Sequence, residues 1–173
     1  MVDTKAGKSN TALTVALIAA AVIAIVAGLY FFLNWQENRP ATPPDQLEVT
    51  AAAGGADVVS RPFSVCEFGA ECPEGEVARI DAAGADAVRI TVPKEVAQQQ
   101  WSVLSIYDDP AANTERTFTP GEASEVDIPL TTDNEGAETH LVVMEISALL
   151  VGKDSNDEET PVVTTWAFTT EVG

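Results

Sequence analysis

The sequence is poor in the residues that most catalytic and metal-binding sites require. Its 173 residues include two cysteines and one histidine, His140. These are too few for a common structural zinc site, which takes four cysteine or histidine ligands. The haem-attachment motif C-x-x-C-H, the nucleophile motif G-x-S-x-G and a phosphate-binding glycine loop are absent as well. These absences argue against a structural zinc ion, a covalently bound haem and the commonest hydrolase and nucleotide-binding chemistry.

Positive charge is also scarce. The chain has nine lysines and arginines against 27 aspartates and glutamates, a net charge of −18. From residue 49 onwards the balance is six against 23, a net charge of −17. Nucleic acids and anionic lipid surfaces are bound mainly through lysine and arginine. We therefore expect no nucleic-acid partner, and a solvated acidic surface is the commoner explanation for such a charge.

The remaining candidates for acid–base chemistry are isolated from one another. His140 opens an apolar run, and no nucleophile or orienting acid is recognisable beside it. Asp108 with Asp109, and Glu74 with Glu76, lie in turns, where carboxylates point into water rather than across a cleft. We therefore predict a protein that is not an enzyme and that carries no cofactor.

The acidic loop DSNDEE superficially resembles a calcium loop, because Asp154, Asn156 and Glu158 occupy alternate positions. An EF-hand loop requires glycine at its sixth position and a carboxylate at its twelfth. Here those positions hold Glu159 and Thr165. We interpret the loop as a solvated hairpin tip, with weak cation binding as the alternative.

One long apolar run predicts a membrane anchor. Residues 12–33 contain no charged side chain across 22 positions. As a helix this run is about 33 Å long, enough to cross the hydrocarbon core of a bilayer. The apolar core of a cleaved signal peptide is shorter, and this run continues well past its small residues at 19–21. We predict an uncleaved transmembrane anchor over residues 12–35. The aromatic residues expected at its lipid–water boundary are Tyr30, Phe31, Phe32 and Trp35.

Charges next to the anchor predict its orientation. Lys5 and Lys8 precede the helix, and positively charged flanks stay in the cytoplasm. Residues 1–11 are therefore expected inside the cell, and everything beyond the helix outside the cytoplasm. A stripe of small residues four positions apart would suit close packing against another transmembrane helix, unless alanine is simply abundant here. The stripe consists of Ala20, Ala24 and Gly28.

Both cysteines lie in VCEFGAEC, with five residues between them, on the exported side of the predicted anchor. Outside the cytoplasm thiols are oxidised, and one bridge between Cys66 and Cys72 would use both. Pairing with another chain and a redox role are the alternatives, although C-x-x-C spacing is missing. We predict an intramolecular disulfide that staples the domain.

The exported part has the composition of a linker followed by a β-rich domain. Residues 36–48 are polar with three prolines, which indicates a semi-stiff linker. Residues 49–173 alternate with a period of two and are rich in β-branched and aromatic residues. We predict about seven strands in a small antiparallel immunoglobulin-like β-sandwich, with one short helix near 93–100. The expected strands are 88–92, 101–107, 124–130, 140–151 and 162–170, with weaker runs at 47–52 and 58–65. The expected core residues are Val65, Ile90, Val92, Trp101, Val103, Ile106, Ile128, Leu141, Val143, Val163 and Trp166.

The stretch CEFGAEC, followed by VRITVPKEVAQQQWSVLSIYDD, resembles an actinobacterial family of exported, membrane-tethered proteins, domain of unknown function 2771. The similar elements are a close cysteine pair, a strand running into V-P-x-x-V-A, and a tryptophan opening a strand that ends in tyrosine. The resemblance is best over residues 58–130. The matching residues are Cys66, Cys72, Val92, Pro93, Val96, Ala97, Trp101 and Tyr107.

The family that the chain resembles has no assigned activity, so the resemblance implies no particular reaction. It does imply an association with the actinobacterial respiratory cytochrome bcc–aa3 supercomplex, which relatives of this kind can accompany as small accessory subunits. We therefore expect a non-catalytic single-pass accessory subunit of an integral membrane complex, held in lipid by its helix. The alternative is a free-standing cell-envelope module that binds a lipid, a glycan or a small ligand. A flat exposed apolar patch would favour the subunit, and a concave apolar pocket would favour the module.

Overall fold

The computed structural model describes residues 9–37, 42–67, 70, 72, 75–154 and 156–171. The chain divides into two compact units, Met1–Ala41 and Thr42–Gly173. Lys5 and Lys8, on which the predicted orientation depends, lie outside the described residues. The first unit contains one long helix, and strands are the main regular structure of the second.

Helix α1, Ser9–Glu37, contains the predicted transmembrane segment. Its residues Leu13–Asn34 have a mean hydropathy of 2.7, and no part of this stretch is buried. The apolar side chains surround the helix axis, as expected for a helix whose whole circumference meets lipid. By length and composition the stretch is a candidate membrane span or signal anchor.

The second unit is an all-β structure, which confirms the predicted fold class. The longer strands alternate buried apolar residues with partly buried or exposed ones, as in β6, whose burial alternates from Trp101 to Tyr107. The described strands are β1 (Val49–Ala53), β2 (Ala56–Ser60), β3 (Ser64–Glu67), β4 (Ala78–Asp81), β5 (Ala87–Thr91), β6 (Trp101–Tyr107), β7 (Thr114–Phe118), β8 (Glu125–Pro129), β9 (Thr131–Asn134), β10 (Ala137–Lys153) and β11 (Glu159–Glu171). A short helix, α2 (Lys94–Ala97), connects β5 to β6.

These strands form two sheets that enclose one apolar core. The smaller sheet has the order β2-β1-β5-β8, and the larger has β3-β11-β10-β6-β7 as its central path. β9 pairs with the start of β10. β4 joins the C-terminal part of β11 and is parallel to it, whereas the other described strand pairs are antiparallel. The sandwich therefore has one large outward face and one small one.

The strands that the sequence did not predict are short and polar. β7 has the sequence TERTF, in which Phe118 alone is buried, and β9 has the sequence TTDN. β4 is equally short, and the run at 58–65 is divided between β2 and β3, because Pro62 lies between them. Such segments lack the apolar alternation that predicts a strand, and pairing with a longer neighbour determines their conformation.

Seven of the eleven predicted core residues are buried, and three of the other four lie on the outward sides of their strands. Ile106 and Val163 occupy outward positions of their strands and are only partly buried. A β-bulge between Leu141 and Val143 shifts the register of β10 against β6. Since side chains alternate along a strand, this shift turns Val143 outward and Met144 inward. The predicted residues found buried are Ile90, Val92, Trp101, Val103, Ile128, Leu141 and Trp166, and Val65 is partly buried against the core.

The β-sandwich begins earlier than the composition indicated. Residues 42–48, assigned above to the linker, belong to the compact unit that starts at Thr42. A 3-10 turn, Pro44–Gln46, leads into the buried Leu47. The carbonyl oxygen of Leu47 accepts a hydrogen bond from Trp166 Nε1 at 3.2 Å. Residues 38–41 of the predicted linker lie outside the described residues.

Candidate functional surface

Helix α1 presents the predicted membrane-interface residues on its surface. Tyr30, Phe31 and Phe32 are all exposed near its C-terminal end. The rings of Tyr30 and Phe31 meet edge to face, with 6.0 Å between their centroids. The side chain of Trp35 lies outside the described residues. The three described aromatic residues are thus available to a lipid–water boundary.

The small residues of α1 lie on one face of the helix. Ala20, Ala24 and Gly28 follow one another at intervals of four residues, slightly more than one helical turn. A Cβ atom added at Gly28 would meet nothing within 4 Å. The face is therefore open to another helix, and its packing against a partner stays a prediction.

Cys66 and Cys72 form the predicted disulfide, with 5.5 Å between their Cα atoms. Cys66 lies in β3, opposite Val163 of β11. The chain then returns beside β3, where Gly75 N donates a hydrogen bond to the Phe63 carbonyl oxygen at 2.6 Å. It next enters β4, which pairs with the same edge of β11 as β3 does but runs in the opposite direction to β3. The disulfide therefore ties this returning segment to β3, which is the position of a structural cross-link.

The outward face of the large sheet carries an apolar strip. Cross-strand pairing places Ile106 beside Val143 towards one end and Leu149 beside Val163 towards the other. Leu149 is 50% exposed, and Val151 is 66% exposed. We name this surface the outer strip. Its members are Leu104, Ile106, Val143, Leu149, Val151 and Val163.

The outer strip is also poor in charge. Over 102–106, 143–151 and 161–169 the outward positions include a single charged residue, Glu145. Midway along the strip, the hydroxyls of Ser147 and Thr165 lie 3.2 Å apart and hydrogen-bond to each other. The outer strip is thus an apolar surface on a domain whose net charge is −17.

The outward face of the small sheet is charged instead. Arg89 donates two hydrogen bonds to the Asp127 carboxylate, at 2.8 and 3.2 Å. The side-chain hydrogen bond lowers the pKa of Asp127 and raises the pKa of Arg89. Both side chains are more than half exposed, so water screens the pair and it contributes little to stability. A shallow depression of about 390 Å³ beside this pair is lined by Ala52, Gly54 and Gly55. This face has the character of an ordinary solvated surface.

The paired carboxylates considered for acid–base chemistry accept hydrogen bonds, chiefly from backbone N–H groups, where the structure describes them. Asp108 accepts a hydrogen bond from the backbone N–H of His140 at 2.9 Å. Asp109 accepts one from a backbone N–H at 3.0 Å and one from a side-chain amide at 2.9 Å, and these bonds lower its pKa. Glu76 is exposed, and Glu74 lies outside the described residues. Asp108 and Asp109 therefore hold loops in place.

The acidic loop connects β10 to β11 as a hairpin tip. Asp154 Oδ1 accepts hydrogen bonds from the backbone N–H groups of Asn156 and Glu158, at 2.8 and 2.9 Å. These bonds lower the pKa of Asp154. Lys153 contacts Asp157 at 2.7 Å. Within the part of the chain that the structure describes, no group of three His, Cys, Asp or Glu residues could hold a metal ion.

Three residues with specific contacts were not identified from the sequence. The ring of Phe118 stacks on that of Trp101, with 4.3 Å between centroids. The guanidinium of Arg116 lies 5.2 Å from the centre of the Phe118 ring. Ser105 is buried on the inward side of β6. In the sequence, Ser105 stands out only as a serine at an inward position of β6, between large apolar side chains.

These observations define a class of protein, in which one apolar helix precedes a disulfide-bonded β-sandwich with an exposed apolar sheet face. The helix and the disulfide together indicate an exported domain. Residues 42–171 match the family described as protein of unknown function, DUF2771, and the chain belongs to this family. No curated protein and no solved structure matches the chain.

Proposed function

We propose that this chain is a non-catalytic single-pass accessory subunit of an integral membrane complex. The outer strip is the observation that carries the proposal. Exposed apolar side chains such as Leu149 and Val151 cost free energy in water, and that cost disappears when a partner covers them. Over 102–106, 143–151 and 161–169 the outward positions carry one charged residue, Glu145, which suits an apolar protein partner, while Glu115 lies at the margin beside Leu104. The actinobacterial cytochrome bcc–aa3 supercomplex is the first complex to test, because the family resemblance points to it.

The proposed topology places the N-terminus in the cytoplasm and the β-sandwich outside it. Lys5 and Lys8 support this orientation, since positively charged flanks are retained inside. The disulfide supports it as well, because thiols are oxidised outside the cytoplasm. Helix α1 would then both anchor the protein in lipid and offer its small-residue face to a helix of the complex.

Replacing Val151 with glutamate is expected to reduce recovery of the complex at least about tenfold, because a carboxylate would be buried against an apolar partner. The measurement is affinity purification of the tagged full-length chain in mild detergent, with mass spectrometry of the retained proteins. Val59→Glu is the matched control, since Val59 lies in the smaller sheet and is 56% exposed. Equal recovery from both variants would contradict docking through the outer strip.

The same purification tests the helix. Ala24→Leu is expected to weaken the complex, because a bulky side chain prevents close approach of two helices. Ala19→Leu is the control, since Ala19 lies about 140° from Ala24 around the helix. Equal losses from both variants would contradict packing through the small-residue face. Recovery of the wild-type chain alone, with its disulfide intact, would contradict the subunit proposal and favour an envelope-binding module.

A further inference from the structure

A small pocket lies between the edges of the two sheets. β7 ends the path of the large sheet, and β8 ends the small sheet. A cavity of about 110 Å³ opens between them, lined by Ser105 from β6, Arg116 from β7 and Ile128 from β8. We name it the edge pocket. Pockets for larger organic ligands are about 300–1,000 Å³, so this one suits a few waters or one very small molecule.

Ser105 brings an unused hydroxyl to the edge pocket. Its side chain is 4% exposed, and its cross-strand neighbours are Met144 and Thr114. Among the described residues its hydroxyl has no hydrogen-bond partner. The hydroxyl faces the edge pocket, where water or a bound polar group can hydrogen-bond to it. A polar group held in the pocket would supply the missing hydrogen bond.

Arg116 brings a positive charge to the same pocket. It pairs with Val103 across the strands, so its side chain starts on the inward side of β7. Its guanidinium donates one long hydrogen bond, 3.4 Å, to the carbonyl oxygen of Asp127. No carboxylate among the described residues forms an ion pair with Arg116, whereas four of the other five lysines and arginines of the sandwich have such a partner. Most of its five N–H donors are thus available to an anion.

We propose that the edge pocket binds a small monocarboxylate that also carries a hydroxyl group, with lactate as the model compound. Its carboxylate would accept hydrogen bonds from the guanidinium of Arg116, and its hydroxyl would pair with that of Ser105. Ile128 and Pro129 provide apolar contact for a methyl group. A monoanion fits better than a phosphate dianion, because the net charge of the domain repels a second negative charge more strongly. The inference is independent of the subunit proposal.

The test is a titration of the ¹⁵N-labelled full-length chain in detergent with lactate, at constant ionic strength. The amide signals of Ser105, Thr114 and Arg116 are expected to shift and saturate, with a Kd on the order of 1 mM for so small a ligand. Arg116→Gln is expected to weaken binding at least about tenfold. Lys94→Gln makes the same charge change away from the pocket and is expected to leave binding unchanged.

A second variant keeps the test decisive if Arg116→Gln disturbs the stacking on Phe118. Ser105→Ala removes only the hydroxyl from a buried site, so the spectrum should remain that of the folded chain while binding weakens several-fold. Propane-1,2-diol, which lacks the carboxylate, should cause no saturable shift. Shifts that never saturate, equal binding of the diol, or unchanged binding in both pocket variants would overturn the proposal and leave a pocket that holds water.

Discussion

Replacing Trp166 with alanine is expected to lower the free energy of unfolding of the β-sandwich by about 3–5 kcal/mol. Trp166 lies in the middle of β11, is 0% exposed and pairs with Ile146 of β10. Truncation would remove the largest apolar contact area in this part of the core and leave a cavity that the neighbouring strands can fill only in part. The measurement is urea denaturation of the full-length chain in mild detergent, followed by the β-sheet signal in far-ultraviolet circular dichroism.

Trp166→Phe separates packing from hydrogen bonding. Phenylalanine retains much of the apolar area but cannot donate to the Leu47 carbonyl oxygen, so a smaller loss of about 1–3 kcal/mol is expected. Because that hydrogen bond ties the first turn of the sandwich to β11, proteolysis within residues 42–48 should also become faster. Trp101→Phe is the comparison, because the indole N–H of Trp101 donates a hydrogen bond to the Ala123 carbonyl oxygen instead. Loss of that hydrogen bond should leave residues 42–48 protected from proteolysis. A loss below about 1 kcal/mol in Trp166→Ala would contradict the assigned core.

The sequence predicts the long central strands correctly, but it does not predict which of their side chains face the core. β6 begins at Trp101 and ends at Tyr107, as predicted, because regular alternation is a local property of the chain. The bulge in β10 depends on pairing with β6, so alternation alone placed Val143 in the core. β7 is held by its pairing with β6 although its own residues are mostly polar. Features that depend on a partner strand could not be deduced from one strand.

The candidate sites also divide into features that are local in the sequence and features that strand pairing assembles. The apolar helix and the cysteine pair are local patterns, and both were identified before the fold was known. The outer strip combines residues from three strands, and its apolar character appears only when the register sets Leu149 beside Val163. The edge pocket requires Ser105, Arg116 and Ile128 from different strands of both sheets to meet. No spacing along the chain brings these together.

Removing the disulfide is expected to lower the free energy of unfolding by about 2 kcal/mol, the chain-entropy contribution of so short a loop. The cross-link also has a local role, because it ties the segment returning from β3 to β4, and both strands pair with the same edge of β11. The double variant Cys66→Ala/Cys72→Ala should therefore lose protection from hydrogen exchange first at β3. The amides of β6, in the middle of the large sheet, should keep theirs under the same native conditions.

The comparison that decides this prediction is between the double variant and the wild-type chain treated with a reductant. Both lack the covalent bond, but only the variant lacks the thiol groups, so equal losses of stability would assign the effect to the cross-link itself. An unchanged free energy of unfolding in both would mean that strand pairing alone fixes the returning segment. Loss of protection in β6 as readily as in β3 would mean that the cross-link supports the whole sandwich, because local opening would then be coupled to global unfolding.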